Sequence, residues 1–269
     1  RDGQQTDCPG QLLYDQLPTI RTKVAALVGQ LSVTPLNRSV NGDGYTDVLV
    51  YPVDAAGAQT AAGVIALGSG PAPIAGRAQV GTGWWGNLTD VSISDDLTGD
   101  GHADLITVER ASGTLRIYEG NGAAGVLSTR ILSGFGGYDL VLPAGDRDGD
   151  GAADLLARSS TGDLLLLRGT GRGTFASPSR IGIGWGGVRV LAPGDLTGDG
   201  VEDVFLVDSA GNLWLYPGAN GGGFSGPRVL WGVGWQSLTL ITAARDLDGD
   251  GFRGDLVARD SSGRMRTYY

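Results

Sequence analysis

Four copies of one acidic loop punctuate the chain at a nearly constant interval, and that interval limits what the chain can fold into. The copies read D-L-T-G-D-G-H-A-D from Asp96, D-R-D-G-D-G-A-A-D from Asp146, D-L-T-G-D-G-V-E-D from Asp195 and D-L-D-G-D-G-F-R-G-D from Asp246. A degenerate fifth copy, S-V-N-G-D-G-Y-T-D, starts at Ser39. Successive starts lie 57, 50, 49 and 51 residues apart. A fixed period of that size means stacked copies of one supersecondary unit.

One period shows what the unit is. From Tyr138, Y-D-L-V-L-P-A-G-D alternates as a strand, and the acidic loop follows. A-D-L-L-A-R-S-S is a second strand, L-L-L-L-R-G a third and S-P-S-R-I-G-I a fourth, with T-G-D and G-T-G-R-G-T as turns between them. Four strands in about 50 residues make one blade of a β-propeller. The expected fold is therefore all-β, a five-bladed β-propeller of four-stranded blades. The last period ends after its third strand, G-R-M-R-T-Y-Y. Near the other end, I-R-T-K-V-A-A-L-V-G-Q-L-S-V-T-P-L-N looks like a fourth strand running into a first one. An N-terminal strand around Ile20–Ala25 is thus expected to complete the last blade, closing the ring and removing an open edge. The propeller is expected over residues 19–269. Residues 1–18 form an extension, either a helical turn or a linker. A six-fold arrangement using residues 1–36 is the competing count.

The loops carry chemistry as well as spacing. Positions 1, 3 and 5 offer side-chain oxygens, position 7 a carbonyl and position 9 a closing carboxylate, while Gly at 4 and 6 lets the backbone wrap an ion. A hard cation such as Ca²⁺ asks for such a set. The expected ligands are Asp96, Thr98, Asp100, His102 and Asp104 in one loop, and Asp146, Asp148, Asp150, Ala152 and Asp154 in the next. The third offers Asp195, Thr197, Asp199, Val201 and Asp203, and the fourth Asp246, Asp248, Asp250, Phe252 and Asp255, with Gly254 inserted before the closing Asp. The degenerate loop offers Asn41, Asp43, Tyr45 and Asp47 beside Ser39 and should bind most weakly. About four Ca²⁺ ions, or five, are expected. A plain Asp-Gly hairpin turn is the bland reading, and repetition of alternate oxygens in four copies weighs against it.

Charge agrees with metal sites. The formal net charge is -9, and sixteen of the 26 Asp stand at ligand positions. Four or five bound Ca²⁺ would bring the chain close to neutrality. Nucleic acid, which selects a basic stripe, is excluded as a partner. No run of about 18 apolar residues exists to enter a membrane.

Loops of this kind followed by an A-D-L or E-D-V strand resemble the FG-GAP/VCBS repeats of calcium-binding β-propellers, over roughly residues 19–269. A second element recurs between the fourth strand of one blade and the first of the next: V-G-T-G-W-W-G-N-L, L-S-G-F-G-G-Y-D-L, I-G-I-G-W-G-G-V and W-G-V-G-W-Q-S-L. These links resemble the G-x-G-W-type segments of tachylectin-like five-bladed lectins. That resemblance implies carbohydrate sites between blades, at Trp84, Trp85, Phe135, Tyr138, Trp185 and Trp235. An exposed ring face packs on the C–H face of a pyranose. The other use of these rings is as wedges between blades.

Several similar sites on one rigid body would gain avidity on a glycan or cell-surface polysaccharide. The expected function is a secreted, monomeric, calcium-stabilised lectin-like targeting module. The competing readings are a protein-interaction propeller, as in integrin-type FG-GAP heads, and an extracellular hydrolase or lyase. His102 is the only histidine and Lys23 the only lysine, and Glu109, Glu119 and Glu202 are dispersed, so no catalytic constellation stands out. Spare carboxylates such as Asp90 and Asp139 are the material for a glycosidase pair. The single Cys8 is either a free thiol or a link to another segment or subunit of a larger secreted protein.

Overall fold

The structure, a computed structural model, describes residues 39–43, 45–50, 63–69, 72–80, 89–109, 111–247, 254–262 and 264–268. They form a β-propeller of four-stranded blades. Three antiparallel sheets have all four strands. The first contains β4 (Thr89–Ile93), β5 (Leu105–Glu109), β6 (Thr114–Gly120) and β7 (Val126–Ser133). The second contains β8 (Tyr138–Gly145), β9 (Asp154–Ser159), β10 (Leu164–Leu167) and β11 (Ser179–Gly182). The third contains β12 (Arg189–Gly194), β13 (Asp203–Val207), β14 (Leu213–Tyr216) and β15 (Val229–Gly232). Three-stranded sheets precede and follow them. These are β1 (Val48–Val50), β2 (Gly63–Ser69) and β3 (Ala72–Val80), and β16 (Leu238–Arg245), β17 (Asp255–Asp260) and β18 (Met265–Tyr268). The closing strand expected around Ile20–Ala25 and the extension 1–18 with Cys8 lie outside the described residues.

Burial follows strand order in the complete sheets. Second strands are buried on both faces, which is why L-I-T-V and D-V-F-L-V read as nearly continuous apolar runs. Third strands alternate, as in L-W-L-Y. Fourth strands are largely exposed, β7 almost throughout. First strands touch one another in succession, β4 on β8, β8 on β12 and β12 on β16. The sheets therefore radiate from a common line with their first strands innermost.

The apolar core lies between sheets. Ile106, Leu115, Ile117 and Phe135 meet Val141, Leu155, Ala157 and Leu167 of the next sheet. Leu156, Leu164, Leu166 and Trp185 meet Val190, Val204 and Leu206. Phe205, Leu213, Leu215 and Trp235 meet Ile241, Leu256 and Ala258. Each fully buried side chain of this size contributes about 1.5–3 kcal/mol. A blade alone would leave half of these residues wet.

The loops from Ser39, Asp96 and Asp146 also touch the turn between the third and fourth strands of the following blade. The carbonyl of loop position 2 accepts a backbone hydrogen bond there, from Ala124 to Val40 (2.7 Å) and from Gly173 to Leu97 (2.7 Å). In the loop from Asp146 an arginine makes the connection. Arg147 is fully buried and donates to the carbonyls of Gly222 (3.0 Å), Gly223 (2.8 Å) and Glu202. Its guanidinium lies 4.8 Å from the Phe224 ring centroid. Burial lowers its pKa to about 10, so it stays charged at neutral pH.

The residues just before the loops from Asp96, Asp146, Asp195 and Asp246 lie at the inner ends of the first strands. At Gly145 and Gly194 the backbone takes φ of 68° and 120°. The equivalent Arg245 takes φ 52°, a conformation unfavourable for a side chain with Cβ. Its guanidinium is held by Asp95 of a non-neighbouring blade (3.1 Å) and by Glu202 (3.2 Å), and all three residues are buried. Burial opposes the charge on Arg245, but Asp95 and Glu202 outweigh it and its pKa is raised. A Cβ on Gly145 would lie 2.7 Å from Arg245 Nη2, so glycine there leaves the room this arginine fills.

Candidate metal loops and inter-blade links

The three fully described loops from Asp96, Asp146 and Asp195 share one internal scheme. The position-1 carboxylate gathers the backbone N–H groups of the turn. Asp96 accepts from Gly99 (2.6 Å) and Gly101 (2.7 Å), Asp146 from Gly149 (2.9 Å) and Gly151 (2.9 Å), and Asp195 from Gly198 (2.7 Å) and Gly200 (2.8 Å). The position-5 carboxylate accepts the position-7 N–H: His102 to Asp100 (2.9 Å), Ala152 to Asp150 (2.9 Å), Val201 to Asp199 (3.0 Å) and, in the degenerate loop, Tyr45 to Asp43 (2.9 Å). Thr98 and Thr197 turn their hydroxyls toward Asp96 and Asp195, at 3.5 and 3.4 Å. Loop glycines at 99, 101, 149, 151, 198 and 200 all have positive φ. The acidic pattern thus encodes a tight wrap of backbone with carboxylates turned inward.

The closing Asp has a second task. Asp104, Asp154 and Asp203 are fully buried. One oxygen accepts the N–H of loop position 2, from Leu97 (2.9 Å), Arg147 (3.0 Å) and Leu196 (2.8 Å). The other accepts from a glycine ending the third-strand region, Gly120 (3.0 Å), Gly169 (2.8 Å) and Gly218 (2.7 Å). Asp47 and Asp255 make the first of these bonds, to Val40 (2.8 Å) and Leu247 (2.6 Å). The sequence signal for those glycines was their recurrence 15 or 16 residues after the closing Asp. A Cβ on Gly169 would sit 2.0 Å from the Ala153 carbonyl oxygen, so only glycine fits.

The donor set suits a hard divalent cation. Asp146, Asp148 and Asp154 each bring an oxygen within 4.8 Å of the others. Oxygens at about 2.3–2.6 Å around one Ca²⁺ are that close to one another. The degenerate loop is different. Ser39, Asn41 and Asp43 bond one another, Ser39 Oγ to Asn41 at 2.9 Å and Asn41 Nδ2 to Asp43 at 2.9 Å, so its oxygens are already engaged. Asp248, Asp250 and Phe252 lie outside the described residues, and Asp246 and Asp255 flank that gap.

The loops also have a charge signature. Burial pushes the Asp104 and Asp154 carboxyls up to about 6, aided by Asp100 and Asp96 in one loop and Asp148 and Asp146 in the other, against their backbone hydrogen bonds. Asp203 is raised for the same reasons. With the folded pKa above the unfolded value, the metal-free native chain holds more protons between about pH 4 and 6. Its stability therefore rises as pH falls through that window. In EDTA the melting temperature is expected to rise between pH 7 and pH 5, and a fall over that interval would contradict this electrostatic picture.

The links occupy the opposite ends of the strands. In the three described links, the aromatic residue donates its backbone N–H to the turn glycine between the second and third strands: Phe135 to Gly113 (2.9 Å), Trp185 to Gly162 (2.8 Å) and Trp235 to Gly211 (2.9 Å). The rings are only 6 %, 5 % and 6 % exposed. Trp185 stacks on Phe224 with centroids 5.5 Å apart and lies 4.8 Å from Tyr216. Phe135 meets Tyr138 edge-on at 5.9 Å, and Trp235 meets Tyr268 at 4.9 Å. Open ring faces were the basis for assigning Phe135, Trp185 and Trp235 to sugar stacking. The structure corrects that basis, because the flanking glycines let these rings turn inward as wedges between blades. Tyr138 is half-buried, and Trp84 and Trp85 lie outside the described residues.

What the links expose is backbone and a few apolar side chains. Gly184, Gly186 and Gly187 are exposed, with Ile183 at 73 % and Val233 at 50 %. Arg158 reaches across to the Trp185 (3.0 Å) and Val188 (2.6 Å) carbonyls while its Nε binds Asp139 (2.7 Å). Asp139, a spare carboxylate for acid–base work in the sequence, is therefore paired. Trp185→Ala is expected to lower stability by about 3 kcal/mol, as large-to-small core changes do. A thermal melt checks this, and an unchanged melting temperature would show that the ring is not a wedge.

Blades wrapped by such loops define a class, a β-propeller whose repeated unit carries an acidic loop between its first and second strands. Residues 96–157 and 146–206 match the FG-GAP-like repeat family. No curated protein matches the chain. Among solved structures, the chain is similar to an Agrocybe aegerita lectin that recognises non-reducing terminal N-acetylglucosamine, with 18% identity and a TM-score of 0.48. It covers 86% of this chain and 55% of that one. It is also similar to the BP39L lectin of Burkholderia pseudomallei, with 17% identity, a TM-score of 0.49, and coverage of 86% and 64%. The chain thus spans less than two thirds of either lectin.

Proposed function

We propose that this chain is a secreted recognition propeller that binds carbohydrate at equivalent sites between blades and is braced by calcium in its acidic loops. The observation that carries the reading is the repeated link. The three described links pin exposed glycine backbone over a buried aromatic floor, and two of them set an apolar side chain, Ile183 or Val233, beside it. Free backbone N–H and C=O groups suit sugar hydroxyls and acetamides, and the apolar side chain suits a pyranose face. Repetition around the ring gives avidity on a polyvalent glycan surface. In this reading the ring has five blades and an N-terminal strand completes the last.

Calcium would be held by Asp96, Thr98, Asp100 and Asp104, by Asp146, Asp148, Asp150 and Asp154, by Asp195, Thr197, Asp199 and Asp203, and by the fourth loop around Asp246 and Asp255. It supplies positive charge that offsets the clustered carboxylates and fixes the turns that touch the next blade. Extracellular calcium is the ready supply for such loops, which favours secretion. Recognition without catalysis fits a chain whose one histidine, His102, sits in a metal loop.

A glycan array tests the ligand class. Binding to a defined set of glycans is expected, and Ile183→Asp should reduce it at least about fivefold without moving the melting temperature, since the side chain is already in solvent. No binding to any glycan would sink the carbohydrate reading. The apolar outer strands, with Leu127 at 67 % and Ile131 at 64 % exposure, would then favour a protein partner on the ring's side.

A further inference from the structure

We infer that Arg168 is an internal counter-cation that lowers the calcium affinity of the loop from Asp146, so that the most acidic of the three fully described loops is not the tightest of them. This deepens the calcium reading and depends on it. The loop from Asp146 alone among the three fully described loops carries Asp at position 3, giving it four carboxylates where the loops from Asp96 and Asp195 have three. Ligand charge count is a main determinant of Ca²⁺ affinity, so sequence alone would rank it first.

The structure puts a cation beside that extra carboxylate. Arg168 Nε lies 2.7 Å from Asp148 Oδ2, the arginine side chain one third exposed and the aspartate almost covered. The remaining guanidinium donors are fixed, Nη1 to Ser179 Oγ (3.1 Å) and Nη2 to the Gly221 carbonyl of the next blade (2.8 Å). Arg168 is thus anchored at three points and cannot swing away without breaking a contact between blades. Asp148 is also one of the three carboxylates drawn within 4.8 Å of one another. A cation taking that oxygen must displace the guanidinium or share the carboxylate with it.

The same place in the other blades behaves consistently. Just before the glycine that follows the third strand's apolar run stand Glu119 beside the loop with Thr98, and Pro217 beside the loop with Thr197. Among the three fully described loops the arginine occurs where position 3 is Asp; the loop from Asp246 also has Asp at position 3, and its equivalent place holds Tyr269. Arg168 returns that loop's local charge to the value of the loops from Asp96 and Asp195, so these three sites load over a similar calcium range.

Calorimetric titration with CaCl₂ tests this on the full chain. Asp146→Ala first identifies the binding class belonging to this loop by removing it. Arg168→Met is expected to raise the affinity of that class about tenfold while leaving the others unchanged. Arg168→Lys should stay near the parent, because it keeps the charge. The double variant Arg168→Met, Asp148→Thr reproduces the layout of the neighbouring loops and should return the affinity to the parent value. If the parent binds calcium and Arg168→Met leaves or weakens that class, with the melt of the calcium-loaded protein unchanged, Arg168 has no such role and the calcium reading stands. If Arg168→Met unfolds, Arg168→Gln replaces it under the same criterion. If neither parent nor variants bind calcium, the calcium reading falls and this role with it.

Discussion

Replacing Arg245 by methionine is expected to lower the melting temperature by about 10 °C, more than any other single surface or core change away from the loops. Arg245 stands in the last described sheet, yet its two carboxylate partners are Asp95, just after β4, and Glu202, just before β13. The three side chains meet near the axis with almost no exposure. Removing one member of a buried ion group leaves the others charged and dry, which costs about 3–5 kcal/mol. For a chain of this size that is a shift on the order of 10 °C. The methyl-for-charge change relieves nothing, since methionine inherits the φ of 52°. Arg245→Gly isolates the two effects: it relaxes the backbone while losing the ion pairs, and should fall about 1 kcal/mol less. Replacing all three residues with apolar ones of similar size should recover most of the loss. Differential scanning calorimetry of the parent and the three variants reads these outcomes. A parent-like melt for Arg245→Met would mean that the axial group contributes nothing to holding the blades together.

Removing calcium is expected to have the largest effect. Each ion bound at a hundred times its dissociation constant contributes about 2.7 kcal/mol, so four together contribute roughly 11 kcal/mol. The melting temperature in EDTA should fall on the order of 20 °C from its value in millimolar calcium. The loops make this fall cooperative, because those from Ser39, Asp96 and Asp146 lie against the next blade, as in the Gly173–Leu97 and Ala124–Val40 hydrogen bonds. Magnesium should rescue poorly, since its short, octahedral coordination suits these flexible loops less well. Equal melts with and without EDTA would remove calcium from the account.

The periodicity made the blades legible. Fifty-residue spacing and the A-D-L or E-D-V strands after the loops map onto β4–β18 as expected. Loop geometry was legible too, because Gly at positions 4 and 6 and Asp at positions 1 and 5 leave the backbone few ways to turn. Three features were hidden because they join residues from different repeats. Asp95, Glu202 and Arg245 occupy positions that are mostly Gly, Ala, Thr or Arg elsewhere, and only the ring brings them together. Arg147 stands where the equivalent loops have Leu or Val, and its cost of burial is met by carbonyls some 75 residues away. The link aromatics misled for a physical reason: a ring flanked by glycines reads equally as an exposed platform or as a wedge whose neighbours give it room. Their backbone bonds to Gly113, Gly162 and Gly211 settle the direction in which Phe135, Trp185 and Trp235 turn.

Native mass spectrometry of the intact chain, prepared in millimolar calcium and exchanged into a volatile buffer, tests the calcium-braced propeller most directly. The account predicts a dominant species carrying about four Ca²⁺, with a fifth only weakly populated and all lost to EDTA. A chain that retains no calcium under those conditions would contradict it.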